Sequence, residues 1–140
     1  MLIESDMFIA HMKKSDWLKE AATKLFEAIE QGKLKNVQAS TEIFHEIYYV
    51  FSDYTTPSIL TSNLVKYASL DNITFLDATM EIHISALELM NSYNLTSIFD
   101  ALYAATVLNG KVPDKTIIST DSVYDRIPGI KRIDPRKMEI

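Results

Sequence analysis

At 140 residues the chain has the length of one domain, 1–140, and a chain of that size removes roughly two-thirds of its unfolded surface from water without needing a covalent staple. The absence of cysteine excludes a disulfide framework and thiolate zinc or iron–sulfur sites, and it suits a reducing, cytoplasmic setting. A net charge of −5 excludes a broad basic platform that would hold nucleic acid by phosphate neutralisation alone, although Arg126, Lys131, Arg132, Arg136 and Lys137 cluster near the end. No apolar run approaches the ~20 residues of a membrane span, and the opening Met-Leu-Ile-Glu-Ser-Asp has no basic region followed by a long apolar one. A soluble, intracellular protein without a membrane partner is the expectation.

Met1 to Glu4 is too short for a helix and reads as a buried strand that delivers Asp6 at its carboxyl end. Helices begin at Asp16: Leu18, Ala21, Ala22, Leu25, Phe26 and Ile29 keep helical spacing to Gln31, and Gly32 ends the run. Asn36 to Ala39 reads as a second strand. Ser40 then caps a helix from Thr41 to about Asp53 that sets Ile43, Ile47 and Val50 on one face and Glu42, His45, Glu46 and Tyr49 on another. Thr56-Pro57 opens a helix to about Ser69, Asn72 to Leu76 is strand-like, and Thr79 caps a helix reaching Ser92.

The next helix, capped by Ser97 or Thr96 and closed near Gly110, carries Asp100 among apolar and small neighbours. Two readings of Asp100 stand side by side. Ser97-x-x-Asp100 resembles a capping box; alternatively the carboxylate belongs to a site, because bare charge in a packed segment costs several kcal/mol unless cations or donors hold it. Past the Pro113-Asp114 turn, Lys115 to Asp121 is β-branched up to its acid, as at Asp6, and Ile130 to Ile133 forms a last strand stopped by Pro135. Strands alternating with helices predict a three-layer α/β/α sandwich around a mainly parallel sheet.

In such sheets ligands bind beyond the carboxyl ends of the strands. Asp6 and Asp121 follow strands directly, and Glu46 and Asp100 sit on helices that can flank the same edge, so four carboxylates meet. Unit charges 4 Å apart repel by about 4 kcal/mol at an effective dielectric of 20, so such a group must protonate or bind cations. All-oxygen ligation without cysteine or a histidine pair points to Mg²⁺ or Mn²⁺ and to metal-assisted phosphodiester hydrolysis. No Ser-His-Asp or Cys-His arrangement supplies a side-chain nucleophile.

Ser5-Asp6, Glu46 before Ile47-Tyr48-Tyr49-Val50, Phe99-Asp100-Ala101-Leu102-Tyr103-Ala104-Ala105, and Ile118-Ser119-Thr120-Asp121 with Arg126-Ile127-Pro128-Gly129 and Pro135 together resemble a PIN domain. The likeness is greatest to the VapC type, the toxin nuclease of toxin–antitoxin pairs. It spans nearly the whole chain in order and is most specific in Asp100-Ala101-Leu102-Tyr103-Ala104-Ala105. The resemblance implies that Asp6, Glu46, Asp100 and Asp121 form a catalytic quartet holding Mg²⁺ or Mn²⁺ for RNA cleavage. Ser119 falls where the family usually has a hydroxyl residue. The resemblance further implies a homodimer and an antitoxin whose peptide covers the active site.

Departures accompany it. Met7 and Phe8 stand where many relatives have a small residue and then Asn, so polar support for a metal is missing there. Glu42 competes with Glu46 one turn earlier, and Asp125 is either a fifth acid or a loop cap. His11, His45 and His83 lack ligand spacing and read as structural or exposed. Tyr48, Tyr49, Phe51 and Tyr54 read either as a base-stacking surface or as core or subunit interface, and Trp17 and Met12 are apolar candidates for partner contact. Two other functions stay open: a PIN-like binding module without catalysis, and another doubly wound phosphoryl-transfer domain. Against the latter, Asp6-Met7-Phe8 lacks the Asp-x-Asp of haloacid-dehalogenase-like sites, and the isolated Gly32, Gly110 and Gly129 form no phosphate-binding loop.

Overall fold

Five short strands make one sheet: β1 (Leu2–Ile3), β2 (Val37–Ser40), β3 (Ile73–Leu76), β4 (Thr116–Ile118) and β5 (Lys131–Ile133). The computed structural model describes all 140 residues, Met1–Ile140. All four strand pairings are parallel, in the order β3-β2-β1-β4-β5. Leu2 lies opposite Gln38 on one side and Ile117 on the other, and Ile3 opposite Ala39 and Ile118. Strands with helices on both faces bury both faces, and accordingly Leu2, Ile3, Val37, Ala39, Ile117 and Ile118 are inaccessible to solvent.

Six helices complete the α/β/α layers: α1 (Ser5–Met12), α2 (Lys19–Glu30), α3 (Glu42–Phe51), α4 (Pro57–Ala68), α5 (Met80–Tyr93) and α6 (Ile98–Leu108). No helix is long and apolar enough to cross a membrane. The expected caps are in place at Thr56, Thr79 and Ser97, whose hydroxyls accept the Ile59, Ile82 and Asp100 amides. Two elements differ from the sequence reading. Helix α1 begins at Ser5, ahead of the first helix expected at Asp16; it has no side-chain cap, and Met7, Phe8 and Ala10 are buried on it, so it shows neither a start signal nor a polar face. Strand β4 stops at Ile118, three residues before Asp121, because the Ser119 hydroxyl accepts the Asp121 amide at 2.9 Å and turns the chain out of the sheet.

From β1 the chain builds outward to β3, then crosses to the far side of β1 for β4 and β5, so the direction of winding reverses between β1 and β4. The crevice beyond the carboxyl ends of those two strands is where a doubly wound sheet binds its ligand. Phe8 points the other way, into the core, with its ring edge-on to Phe26 at 5.0 Å and to Tyr67 at 4.9 Å. An asparagine there would bury an unpaired amide, which accounts for the apolar residue.

Phe8→Ala is expected to cost about 3–5 kcal/mol and to lower Tm by on the order of 10 °C, measured by thermal melting. A shift of only a degree or two contradicts the packing described.

Candidate active site

The loops after β1 and β4 supply two of the acids. Asp6 lies in the first turn of α1, where its Oδ2 accepts the Thr120 amide at 3.4 Å and the Thr120 hydroxyl at 3.2 Å. Asp121 is exposed; its Oδ1 accepts the Val123 amide at 2.8 Å and so caps the 3₁₀ turn Ser122–Arg126. Asp125, on that turn, is gripped by Arg132 through two bonds of 2.9 and 2.8 Å, and Arg132 also donates to the Ser119 carbonyl at 3.3 Å. The guanidinium holds the Asp125 carboxyl below its ordinary range. Asp125 thus anchors the loop through Arg132, with both oxygens engaged outside the acid cluster.

Helices α6 and α3 supply the other two. Ser97 caps α6 by accepting the Asp100 amide at 3.3 Å, and the Asp100 carboxyl feels both the Ser97 hydroxyl and the charges of Asp121, Glu46 and Asp6. One turn on, and on the same face, the buried Tyr103 donates its hydroxyl to Oε2 of Glu46 on α3. Glu42 has a different neighbourhood: its Oε2 accepts from His45 Nδ1 at 3.0 Å, and its Oε1 lies 3.9 Å from His83 Nε2. His11 is separate again, bonded to the Tyr67 hydroxyl at 2.7 Å.

The charges of Asp6, Glu46, Asp100 and Asp121 act on one another. Burial, then repulsion from Asp121, Glu46 and Asp6, raises Asp100 from 3.8 to about 6. Asp6 also rises to about 6, chiefly by burial, although the Thr120 and Met7 hydrogen bonds pull it down. Beneath them sits Glu4, which sequence reasoning passed over as the end of an apolar strand; burial and the Asp6 charge push its carboxyl well above the ordinary range. Tyr103 and the fully buried Tyr124 complete this floor, both phenols raised first by burial and then by neighbouring carboxylates. Tyr103 was findable from its i, i+3 relation to Asp100; nothing in the sequence marks Tyr124.

Oδ1 of Asp6 and Oε2 of Glu4 are buried without a hydrogen-bond partner. Buried carboxylate oxygens left without donors and surrounded by like charge are suited to a hard cation, and the donor set, all oxygen, is that of Mg²⁺ or Mn²⁺. The side chains do not form a closed cage: no three of them are placed to ligate one ion together.

An acid cluster at the switch point of a parallel sheet in the order 3-2-1-4-5 defines the class of the chain. The PIN domain profile matches residues 1–130, and the chain belongs to the PIN domain family. Curated proteins yield no match. Among solved structures, a toxin–antitoxin complex from Klebsiella pneumoniae aligns over 96% of this chain and 96% of that one, with 16% identity and a TM-score of 0.62. VapC20 of Mycobacterium tuberculosis, described as a sarcin–ricin-loop-cleaving toxin, aligns over 83% of this chain and 85% of its own, with 14% identity and a TM-score of 0.67. VapBC2 of Rickettsia felis, solved with a fragment of its promoter DNA, aligns over 94% and 96%, with 15% identity and a TM-score of 0.67. At these identities the likeness is one of fold, and the fold is that of VapC toxins.

Because Asp100 titrates higher in the folded chain than in the unfolded one, its charge destabilises the metal-free fold above about pH 6, and the penalty disappears below about pH 4. Asp100→Asn is therefore expected to raise stability in chelator at pH 7.5, by on the order of 1 kcal/mol once solvent screening of this half-buried group is allowed for. The gain fades as pH falls toward 4.5, followed by thermal melts of both proteins. An Asn variant less stable than wild type at pH 7.5 makes capping the main role of the carboxylate.

Proposed function

We propose that the chain, 1–140 as one nuclease domain, is a divalent-metal-dependent endoribonuclease that hydrolyses RNA phosphodiester bonds, and that it acts as the toxin of a VapBC-type toxin–antitoxin pair. The observation that carries the chemistry is the set of mutually repelling carboxylates, with buried oxygens lacking donors, at the ligand-binding edge of a PIN-family sheet. Asp6, Glu46, Asp100 and Asp121 are the residues that hold Mg²⁺ or Mn²⁺. Bound there, the ion supplies activation of a water and neutralisation of the charge that develops on the phosphoryl group.

The protein's own part is orientation. Thr120 fixes one oxygen of Asp6, Tyr103 fixes one oxygen of Glu46, and the Asp121 cap to Val123 fixes the third acid, so each carboxylate keeps a second oxygen for the site. Ser119 shapes the turn that carries Asp121, and Arg132 with Asp125 braces the same loop from below. The toxin reading is supported by the fold shared with VapC20 and with toxin–antitoxin complexes. It brings with it an antitoxin partner and a homodimer, and exposed apolar side chains such as Met80, Ile84 and Leu87 on α5 offer surface for such contacts.

Purified wild type is expected to cut single-stranded RNA with Mn²⁺ and not with chelator, and Asp100→Asn to lose at least about 100-fold of that rate while keeping its fold. Cutting that persists in chelator or in the variant contradicts the proposal. In calorimetric titration, Glu46→Gln weakens Mn²⁺ binding about tenfold or more, whereas Glu42→Gln changes it little; equal or reversed effects move the ligand to the earlier turn.

A further inference from the structure

Beside the acid cluster lies a hollow of about 350 Å³ that the metal chemistry does not use. Helix α3 contributes Glu42, His45 and Tyr49 to its wall, α5 contributes His83, and α6 contributes Phe99 and Leu102. The hollow shares these helices with the acids. Glu42 lies one turn, about 6 Å, before Glu46 along α3, Phe99 immediately precedes Asp100, and Leu102 immediately precedes Tyr103. A chain whose phosphate sits at the acids therefore has an adjoining nucleotide within reach of the hollow.

Its two ends differ chemically. One is aromatic: Tyr49 is 70% exposed, its ring 6.3 Å from Phe99 and 5.9 Å from Tyr48. Exposed rings without a packing role are the usual platform for unpaired bases. The other end is polar. The Glu42 side chain is only 14% exposed; His45 braces its Oε2, and its Oε1 faces His83. His83 donates from Nδ1 to the Thr79 carbonyl at 2.8 Å, which leaves Nε2 facing the Glu42 carboxylate. Oε1 and Nε2 stand 3.9 Å apart, too far to bond each other, and no three of these side chains are placed to ligate a metal ion. With the imidazole uncharged, Oε1 and Nε2 are neighbouring acceptors and suit a ligand that brings two N–H groups on one edge; with it protonated, the two form an ion pair.

We infer that this hollow is a base-recognition subsite for guanine, in the nucleotide next to the scissile phosphate; the inference rests on the ribonuclease reading for its place beside the cut. Guanine alone among the RNA bases presents adjacent N1–H and N2–H donors on its Watson–Crick edge. In adenine and cytosine the ring nitrogen beside the amino group is an acceptor, and in uracil the single imino group lies between two carbonyls. Glu42 and His83 read the edge, Tyr49 stacks on the ring, and His45 positions Glu42. The local negative charge disfavours a phosphate in the hollow itself.

The test separates binding from cutting. In the Asp100→Asn background, fluorescence anisotropy compares labelled single-stranded oligonucleotides made of A, C and U with the same sequences carrying one guanine. The single guanine is expected to tighten binding about tenfold. Glu42→Gln, which puts a donor where the guanine donors point, erases that discrimination, and Tyr49→Ala weakens binding of every oligonucleotide. Guanosine monophosphate competes; competition by arginine amide alone assigns the hollow to a basic protein side chain and overturns the inference. Equal affinity with and without guanine overturns it too, as does discrimination that survives Glu42→Gln. With active protein and Mn²⁺, a randomised RNA pool is cut beside guanine, and Glu42→Gln loses that bias. If wild type cuts nothing, the ribonuclease reading fails, while the anisotropy still decides whether guanine is bound.

Discussion

Mutual repulsion among carboxylates is the constraint on which the rest of this structure depends. Asp6, Glu46, Asp100 and Asp121 reach one edge of the sheet from four different elements, and the charges that raise Asp6 and Asp100 are those of other carboxylates in the group. Folding such a cluster works against stability, since like charges repel in proportion to their closeness, about 4 kcal/mol for a pair 4 Å apart at an effective dielectric of 20, until protonation or a cation relieves it. The surroundings are built to tolerate it: Asp6, Glu46 and Asp121 each have one oxygen tied to a donor, and Ser97, which caps α6 by accepting the Asp100 amide, also draws the Asp100 carboxyl down against the burial and repulsion that raise it. Below, burial and the Asp6 charge push the Glu4 carboxyl well above its ordinary range.

The sheet makes the convergence possible. Central β1 has only two residues, flanked by β2 and β4, so Glu4, Ser5 and Asp6 emerge from it at the point where the winding reverses. Had β4 run on to Asp121, as its β-branched sequence suggests, that side chain would be held in the ladder. The Ser119–Asp121 turn and the Arg132–Asp125 pair instead fold the loop back over the edge. The same two helices then serve two purposes, because residues one position or one turn apart, Phe99 and Asp100 on α6 and Glu42 and Glu46 on α3, line the hollow and the acid cluster respectively.

Much of this was legible in the residues. Parallel strands buried on both faces read as short apolar runs, and caps at Thr56, Thr79 and Ser97 announce their helices, so the layered α/β architecture comes out of pattern. Where pattern fell silent the reasons are physical. Helix α1 is too apolar and too short to show a face, and β4 ends through a side-chain bond that propensity does not encode. Sequence alone left Asp100 between cap and site; in the structure Ser97 accepts the Asp100 amide, and the Asp100 carboxyl is raised by burial and by Asp121, Glu46 and Asp6. Glu42 and Glu46 are equivalent by spacing, and only the partners brought by other elements, His83 and Tyr103, distinguish them. Glu4 and Tyr124 were invisible because a buried polar group is indistinguishable in sequence from an exposed one.

The most direct measurement of the central claim is anomalous diffraction from crystals grown with Mn²⁺. A peak is expected between the carboxylates of Asp6, Glu46, Asp100 and Asp121, with those side chains drawn inward and Tyr103 still bonded to Glu46. An empty cluster with all four acids in place, or manganese bound only elsewhere on the chain, contradicts the claim that these carboxylates are assembled to hold a metal.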